Sequence, residues 1–471
     1  MADIKRSTPG VFVNELDPFA PSIVGVPTAV PAFVGYTSSA SLNGVDTTLK
    51  PLRISSMAEY RAIFGGAPTE DGNGQPVQTF QLMSAVAGAD YDFVDSGGHK
   101  YTIQRTGAKA RDGLLYYSME LFFQNGGTNC YVVSIGGYPP AGMASMSDLK
   151  AGLDALADQV GPTMLVIPDA TLFAPASVAN ASKPGTPLLE LAQRMLQQCA
   201  DKQDRIALLD AWHMFPLAFE TSSDTLNTDL AAVSDQFRAD VGSENLKYGA
   251  AYAPYLNTSV VAPENLSYVH FDPASLSKLL IEEAKAIYTP ANNPRLQPLL
   301  ATIAAAGDRL PPPSSAAAAT INSQLKAQIP LLKQIYSMAA SMLGLLPPSP
   351  AMAGVMTHSD ETRGVWNAPA NLAVKSSVPS VKLNADQQEG FNVPLDGKAI
   401  NLLREFVGQG TLVWGARTLD GNSLDFRYVQ VRRTLIYVEQ SIQAGLNSLA
   451  FAANDGPTWT AATAMVSNFL Q

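Results

Sequence analysis

The hydrophobic pattern in the middle of the chain alternates between two periods. Apolar residues at spacings of three and four predict helices over 114–123, 147–158, 187–200, 224–240 and 274–287. Short β-prone runs between them predict strands over 131–135, 164–167, 205–210 and 246–253. Because helices and strands alternate along the chain, the expected fold class is α/β (α+β overall), with a mainly parallel sheet.

The first part of the chain follows neither period. Prolines stand at positions 9, 18, 21, 27 and 31, which excludes a regular helix and favours an extended path. Within it lies a strand-length run without a nearby hairpin partner: Val11, Phe12, Val13, Asn14 and Glu15. Such a strand adds to a sheet of another molecule or pairs within its own chain, and both alternatives are open. Residues 1–30 are therefore predicted to be an extended N-terminal linker arm.

Residues 31–112 are rich in glycine, serine and threonine and contain short mixed elements. Leu52–Phe64 predicts a strand and then a helix, capped by Ser55 or Ser56 with Glu59 at the capping-box spacing. The run over 95–110 predicts an irregular, exposed segment. We expect 31–112 to be a partly β-rich outer insertion and 113–346 to be the α/β middle domain, ending in one long helix over 321–346.

The C-terminal third, 347–471, contains a strand, a turn and an amphipathic helix. Thr411–Trp414 predicts a buried strand, residues 420–422 a turn, and residues 426–431 further β-prone chain. The following helix carries an apolar stripe made of Leu435, Val438, Ile442, Leu446 and Leu449. Three polar side chains of this helix are expected to face outward: Glu439, Gln440 and Gln443.

Two adjacent arginines, Arg432 and Arg433, stand at the predicted start of that helix. The positive end of the helix dipole disfavours a cation there by roughly 0.3–1 kcal/mol. This placement indicates carboxylate partners, either in the same subunit or in a neighbouring one. The alternative is that both side chains extend into water along their apolar stems.

Composition restricts the kinds of partner. The 471 residues carry a net charge of −10, with a pI near 5.0. That balance argues against binding to nucleic acid and to anionic membranes. Only 15% of residues are charged, below the usual ~25%, which indicates a surface largely covered by partners. No apolar run reaches the ~18 residues of a membrane helix, and Pro27 and Pro31 interrupt the one run similar to a signal peptide.

No motif for catalysis is complete. Phosphate-binding, dinucleotide-binding and serine-hydrolase motifs are absent, and the histidines at 99, 213, 270 and 358 lack a histidine partner at the spacing of a zinc site. Residues 358–361, His-Ser-Asp-Glu, are more consistent with a turn than with an acid–base cluster. Asp169 follows a predicted strand, where it serves either as a ligand residue or as a helix or turn cap. We therefore predict no catalytic, cofactor or metal site.

Four separated segments carry a resemblance to a known family. They are TPGVFVNELDPFAPSIVGVPTAVPAFVGYT at 8–37, FFQNGGTNCYVVSI at 122–135, the stretch over 347–372 that includes RGVWNAPAN, and the strand–turn–helix block over 404–443. In this order they resemble the sheath proteins of contractile phage tails and related contractile injection machines.

The resemblance implies a structural protein that is not an enzyme. Subunits would form stacked hexameric rings around an inner tube protein, and contraction would drive that tube through a target envelope. Residues 347–471 with 1–30 would be the assembly domain, in which Val11–Glu15 links subunits and the helix with Arg432 and Arg433 faces the assembly or the tube. Baseplate and terminator or cap components are further implied partners. The particle would be assembled in the bacterial cytoplasm as a phage tail or phage tail-like particle and then released.

Two alternatives remain open at the level of the sequence. One is a non-contractile sheath-like or baseplate component, and the other is an enzyme on the α/β middle domain. Sheath chains normally continue beyond the run at 454–470, with strands that receive a neighbour's arm, whereas this sequence ends at Gln471. Either the sequence is part of a longer chain or the linkage differs.

Overall fold

The structure is a computed structural model, and it describes residues 22–71, 73–86, 90–105, 113–139, 143–184, 187–220, 224–289, 293–309 and 316–471. The chain divides into a larger unit, 27–434, and a smaller unit that combines 1–26 with 435–471. The predicted mixed α/β class is confirmed.

The described residues form short strands and longer helices. The strands are β1 Pro31–Thr37, β2 Ser41–Leu42, β3 Val45–Asp46, β4 Leu52–Ile54, β5 Phe80–Ser84, β6 Phe93–Val94, β7 Lys100–Arg105, β8 Cys130–Gly137, β9 Met164–Val166, β10 Ile206–Asp210, β11 Gly249–Ala253, β12 Leu256–Thr258, β13 Leu345–Leu346, β14 Ser377–Pro379, β15 Ile400–Phe406 and β16 Gly410–Val413. The helices are α1 Met57–Phe64, α2 Leu114–Gln124, α3 Met146–Asp154, α4 Val178–Ala181, α5 Leu188–Lys202, α6 Leu217–Glu220, α7 Leu226–Val241, α8 Pro273–Ile287, α9 Leu296–Gly307, α10 Ala316–Gln328, α11 Pro330–Leu343, α12 Ser349–Arg363, α13 Ala385–Asn392, α14 Val429–Leu446 and α15 Gly456–Leu470.

The larger unit is organised around a sheet, called here the main sheet, in which eight described strands follow the order β16-β15-β11-β10-β9-β1-β8-β4. The strands from β15 to β8 run parallel to their neighbours, and β16 and β4 are added antiparallel at the two edges. The chain places β8 on one side of β1 and then β9 on the other. β1 therefore lies at the point where the strand order reverses, which is where open α/β sheets usually bind ligands.

Both faces of the main sheet are covered at its centre, which is why the central strands are mostly apolar. All residues of β1, β10 and β11 are buried. Val34 of β1 packs against Gly152 of α3, whereas its neighbour Phe33 packs against Phe122 of α2 with ring centroids 5.1 Å apart. Because successive strand residues point to opposite faces, α3 and α2 lie on opposite sides of the sheet.

The main sheet draws strands from three of the ranges that the sequence analysis separated. β1 comes from 31–112, the strands β8 to β11 from 113–346, and β15 and β16 from 347–471. No single one of these ranges therefore contains the main sheet. β1, from the range 31–112, lies near its centre. Within 31–112, the strands β5, β7 and β6 form a separate antiparallel sheet, so the predicted irregular segment is wrong for residues 100–105.

Other boundaries were also predicted wrongly, for local reasons. The single long helix over 321–346 is two helices, because Pro330 begins α11 and forces Ile329 into an extended conformation (φ −125°, ψ 92°). The β-prone chain over 426–431 is not a strand. Tyr428 makes an isolated bridge to Arg417, and α14 begins at the next residue.

The described part of the smaller unit consists of residues 22–26 and 435–471, and the latter contain the second part of α14 and the whole of α15. The rings of Tyr437 in α14 and Phe469 in α15 lie with centroids 6.0 Å apart. Ser441 is fully buried and its hydroxyl accepts a hydrogen bond from the backbone N–H of Val26 at 3.1 Å. Ile23 packs against Gly445.

Close approach of α12 to α2 predicts that Gly354→Ala is destabilising. A Cβ at Gly354 would lie 2.5 Å from the carbonyl oxygen of Phe122, and backbone atoms cannot move away cheaply. We expect a loss of about 1–3 kcal/mol in the free energy of unfolding, measured by urea denaturation. The control is Gly390→Ala in α13, where the added methyl group has no neighbour within 4 Å and stabilises the helix by up to about 1 kcal/mol. Equal effects at the two positions would contradict the packing argument.

Candidate assembly site

The segments that carry the sequence resemblance meet inside the larger unit, and we call their meeting place the motif network. Phe33 of the first segment contacts Phe122 of the second, and Gly354 of the third lies against the backbone of Phe122. Two backbone hydrogen bonds join the third and fourth segments. The N–H of Asn371 donates to the carbonyl of Val413 at 2.8 Å, and the N–H of Val413 donates to the carbonyl of Leu372 at 2.9 Å. The motifs are therefore parts of one packed region.

Asn125, at the centre of the FFQNGG motif, fastens α2 to the chain that follows α12. Its side-chain oxygen accepts the N–H of Lys375 at 2.8 Å, and its amide group donates to the carbonyl of Leu121 at 2.8 Å. The residue is 4% exposed, so these hydrogen bonds satisfy a buried amide. The next residue, Gly126, has φ +95°, a conformation that favours glycine.

Helix α12 lies at the centre of the motif network. Its first nine residues, 349–357, are all buried, and most of them are apolar. Its N-terminus is held by Asp210, the last residue of β10. The carboxylate of Asp210 accepts hydrogen bonds from the N–H and the hydroxyl of Ser349, both at 2.7 Å. Burial raises the pKa of Asp210 to about 7, although both hydrogen bonds from Ser349 act in the opposite direction.

The other end of α12 is held by an ion pair with α14. Arg433 contacts Asp360 through two nitrogen–oxygen pairs, Nη1 to Oδ1 at 3.0 Å and Nη2 to Oδ2 at 2.5 Å. Nη2 also donates to the carbonyl of Thr28 at 3.1 Å. The side chains of Arg433 and Asp360 are only 3% and 4% exposed. The predicted carboxylate partner of Arg433 is thus present, and it belongs to the same chain.

Arg432 is also buried, at 4% exposure. Its guanidinium lies 5.2 Å from the ring centroid of Tyr248 and 5.2 Å from that of Phe426. Stacking of this kind stabilises a desolvated cation. The alternative that both arginines extend into water is wrong in this structure, and both side chains join elements of the larger unit. A direct contact of either with a tube or a neighbouring subunit stays a prediction.

The polar face predicted for α14 differs little from the face that the structure exposes. Glu439 and Gln443 are exposed, and Gln440 is half-buried. The predicted apolar stripe is displaced at its start, because Leu435 is 37% exposed whereas Ile436 is 6% exposed. The predicted linking strand, Val11–Glu15, lies outside the described residues.

The candidate ligand residue at the reversal point of the main sheet has an internal role. Asp169 is fully buried, and its carboxylate accepts hydrogen bonds from the N–H of Tyr36 at 2.6 Å and of Leu115 at 3.0 Å. It thereby joins the end of β1 to the start of α2, as the capping interpretation expected. Residues 358–361 lie within α12, so their interpretation as a turn is wrong.

Sequence reasoning missed Asp360 and Asp210 as structural anchors. A signal for Asp360 existed, because a carboxylate in a buried helix requires a cation and two arginines without assigned partners stood in another motif. Asp210 had no such signal, because its partner is the N-terminus of α12, and that contact depends on the tertiary fold.

Among the described helices, none is both long and apolar enough to span a membrane.

The buried ion pair predicts a large effect of removing one partner. Arg433→Met leaves the carboxylate of Asp360 buried without its cation, and we expect a loss of about 3–5 kcal/mol in stability. Adding Asp360→Leu to that variant removes the uncompensated charge and should restore most of the loss. Urea denaturation measures both effects.

A matched control is Lys382→Met, which breaks the ion pair of Lys382 with Glu405 at 2.9 Å. The side chain of Lys382 is 76% exposed, so the expected loss is below about 1 kcal/mol. Similar losses for Arg433→Met and Lys382→Met would contradict the importance of the buried pair.

Comparison with known proteins finds similar solved structures, although it finds no match to a family model or a curated protein. The solved PVC sheath complex of an extracellular contractile injection system, in its contracted state, contains a chain that is similar with a TM-score of 0.52 and 21% identity, over 99% of this chain and 82% of that chain. The 6-fold symmetrised baseplate of the anti-feeding prophage (AFP) contains one with a TM-score of 0.50 and 20% identity, over 99% and 83%. The chain therefore has the fold of contractile injection system sheath proteins, which is the fold that its sequence motifs implied.

Proposed function

We propose that the chain is a structural sheath subunit of a contractile injection machine. In this proposal it polymerises as stacked hexameric rings around an inner tube protein and contracts to drive the tube through a target envelope. The observation that carries the proposal is the similarity to the PVC sheath over 99% of this chain. The particle is assembled in the bacterial cytoplasm, as a phage tail or phage tail-like particle, and is then released.

The proposed mechanism is physical. Contraction rearranges subunits as rigid bodies while flexible links between them persist. A rigid body requires a core that does not rearrange, and the ion pair of Arg433 with Asp360 and the hydrogen bonds of Asp210 to Ser349 supply fixed points at both ends of α12. The driving free energy would come from larger interfaces in the contracted state, with the extended state held by a kinetic barrier.

The links are proposed to be exchanged strands, with Val11–Glu15 as the donated strand. Each backbone hydrogen bond contributes about 0.5–1.5 kcal/mol net, so several in parallel hold neighbours together without fixing the angle between them. The exposed face of α14, with Glu439, Gln440 and Gln443, is proposed to face the assembly or the inner tube. The proposed domain division keeps 1–30 and 347–471 as the assembly domain.

A second candidate is a non-contractile or baseplate component with the same fold. It is favoured by the similarity to a chain of the AFP baseplate. Terminator or cap components, the baseplate and the inner tube are the proposed partners beside the chain itself. An enzyme on the main sheet has less support, because Asp169 and Asp210 at the carboxyl ends of its strands are engaged in internal hydrogen bonds.

Assembly by the N-terminal arm is tested with strand-breaking substitutions. The double variant Val11→Pro, Val13→Pro removes two backbone donors and should give a folded chain that forms no tubes by negative-stain electron microscopy. Deletion of residues 1–20 should give the same result. The control, Val11→Thr with Val13→Thr, keeps both N–H groups and should still form tubes. Intact tubes from the proline variant or the deletion would refute the exchanged strand, and wild-type chain that stays monomeric with all partners present would refute the sheath function.

The exposed face of α14 is tested by reversing its charge. Glu439→Lys with Gln443→Lys places two cations one helical turn apart and should lower the fraction of sheaths that enclose an inner tube, because interface potentials are then mismatched. The matched control is Gln197→Lys with Asp201→Lys, two exposed positions at the same spacing on α5. Electron microscopy of particles co-expressed with the tube protein measures the fraction. Equal fractions in both variants would exclude this face from tube contact.

A further inference from the structure

A cluster of possible metal ligands lies where the β6–β7 turn meets α8, apart from the motif network. Asp95 and His99 come from the turn, and Glu282 comes from α8. Their donor atoms, one imidazole nitrogen and two carboxylate oxygens, all lie within 4.8 Å of one another. We propose that these three side chains bind a divalent transition-metal ion of the zinc class, which fastens the β6–β7 turn to α8.

The turn holds two of the ligands in a fixed relation. The N–H of His99 donates to Oδ1 of Asp95 at 2.7 Å, the N–H of Asp95 donates to the carbonyl of His99 at 3.0 Å, and Gly98 adopts φ +86° to close the turn. Nδ1 of His99 lies 2.9 Å from Oδ2 of Asp95, which is a hydrogen bond in this structure. Two ligands about 2.1 Å from one tetrahedral metal are separated by about 3.4 Å, so a small rotation of the imidazole lets a metal ion replace this hydrogen bond.

The third ligand is oriented from outside the cluster. The hydroxyl of Tyr101 donates to Oε2 of Glu282 at 2.8 Å, which fixes the orientation of that carboxylate. Next to it on α8, Glu283 accepts the N–H of Ser96 at 2.7 Å and its hydroxyl at 2.8 Å, which aligns the turn with the helix. Hydrogen bonds that orient a ligating carboxylate are typical of metal sites.

Burial and chemistry define the kind of ion. The side chain of Asp95 is 1% exposed, whereas that of His99 is 65% exposed, so the site is anchored inside and open to water on one side. Imidazole with carboxylates suits zinc and related ions, whereas magnesium and calcium prefer oxygen ligands alone. A site with three protein ligands leaves further positions to water. The sequence carries no pair of histidines to mark this site, because the partners of His99 are Asp95 and a glutamate of a remote helix.

Zinc titration of the purified full chain tests the site. We expect one Zn²⁺ per chain by calorimetry and a rise in melting temperature with added Zn²⁺, whereas Mg²⁺ at the same concentration should produce neither. His99→Ala and Glu282→Gln should abolish both effects. Tyr101→Phe, which keeps the ring but loses the hydrogen bond to Glu282, should weaken zinc binding roughly 10–100-fold. Because His99 is exposed, His99→Ala should fold without added metal.

The control is His358→Ala, which removes an exposed histidine of α12 and should bind Zn²⁺ as the wild type does. Absence of zinc binding in the wild type would overturn the proposal, and so would equal binding in the wild type and His99→Ala. His99 and Asp95 would then form only an ion pair, with the carboxylate of Glu282 beside it, and no metal site. The test does not depend on sheath assembly, because it uses the purified chain alone.

Discussion

The ion pair between Arg433 and Asp360 is the interaction on which the arrangement of the motif network depends. Removing two such charges from water costs several kcal/mol for each ion, and this cost is offset only when their geometry and their further hydrogen bonds are complete. Completion here requires α12, α14 and the chain at Thr28 together, since Arg433 contacts both Asp360 and the carbonyl of Thr28. The pair is therefore stable only when segments from both ends of the larger unit are in place, so it favours one arrangement of them over others.

Helix α12 transmits that constraint to the main sheet. One end of the helix is tied through Ser349 to Asp210 of β10, and the other end is tied through Asp360 to α14. Between these ties, Gly354 allows the helix to approach the backbone of α2 more closely than any side chain would permit. The helix is thus held at both ends and along its length. An element with so many buried contacts is expected to move as one body with the sheet it covers.

The parts of the fold that could be predicted from the sequence are those fixed by local periodicity. The helices of the middle region and the strands between them follow from spacing alone, as α5 and β10 illustrate, because burial on one or both faces imposes a visible pattern. What could not be predicted depends on contacts between remote residues. The order of strands around β1 and the role of Asp210 are set by tertiary packing. A carboxylate partner for Arg433 was predicted, but tertiary packing decides that this partner is Asp360 of the same chain. The division of the predicted long helix at Pro330 is different in kind, since its signal was present in the sequence and was outweighed by the apolar pattern around it.

The charged residues of the chain fall into two groups. Buried ones stabilise its own fold, and exposed ones lie on the surface where a partner could bind. Few residues of the chain are charged, and several of these are buried, among them Arg205, Arg432, Arg433, Asp169 and Asp210. Each of these forms contacts within the larger unit, so they cannot also serve as adjustable contacts between subunits without unfolding their surroundings. In the proposed contraction, contacts that change must therefore use exposed groups such as Glu439 and Gln443, or backbone hydrogen bonds, because each of these stabilises little by itself and can be exchanged. In the proposed sheath, a chain built in this way would keep its own fold while its neighbours are rearranged, which is the physical requirement for contraction.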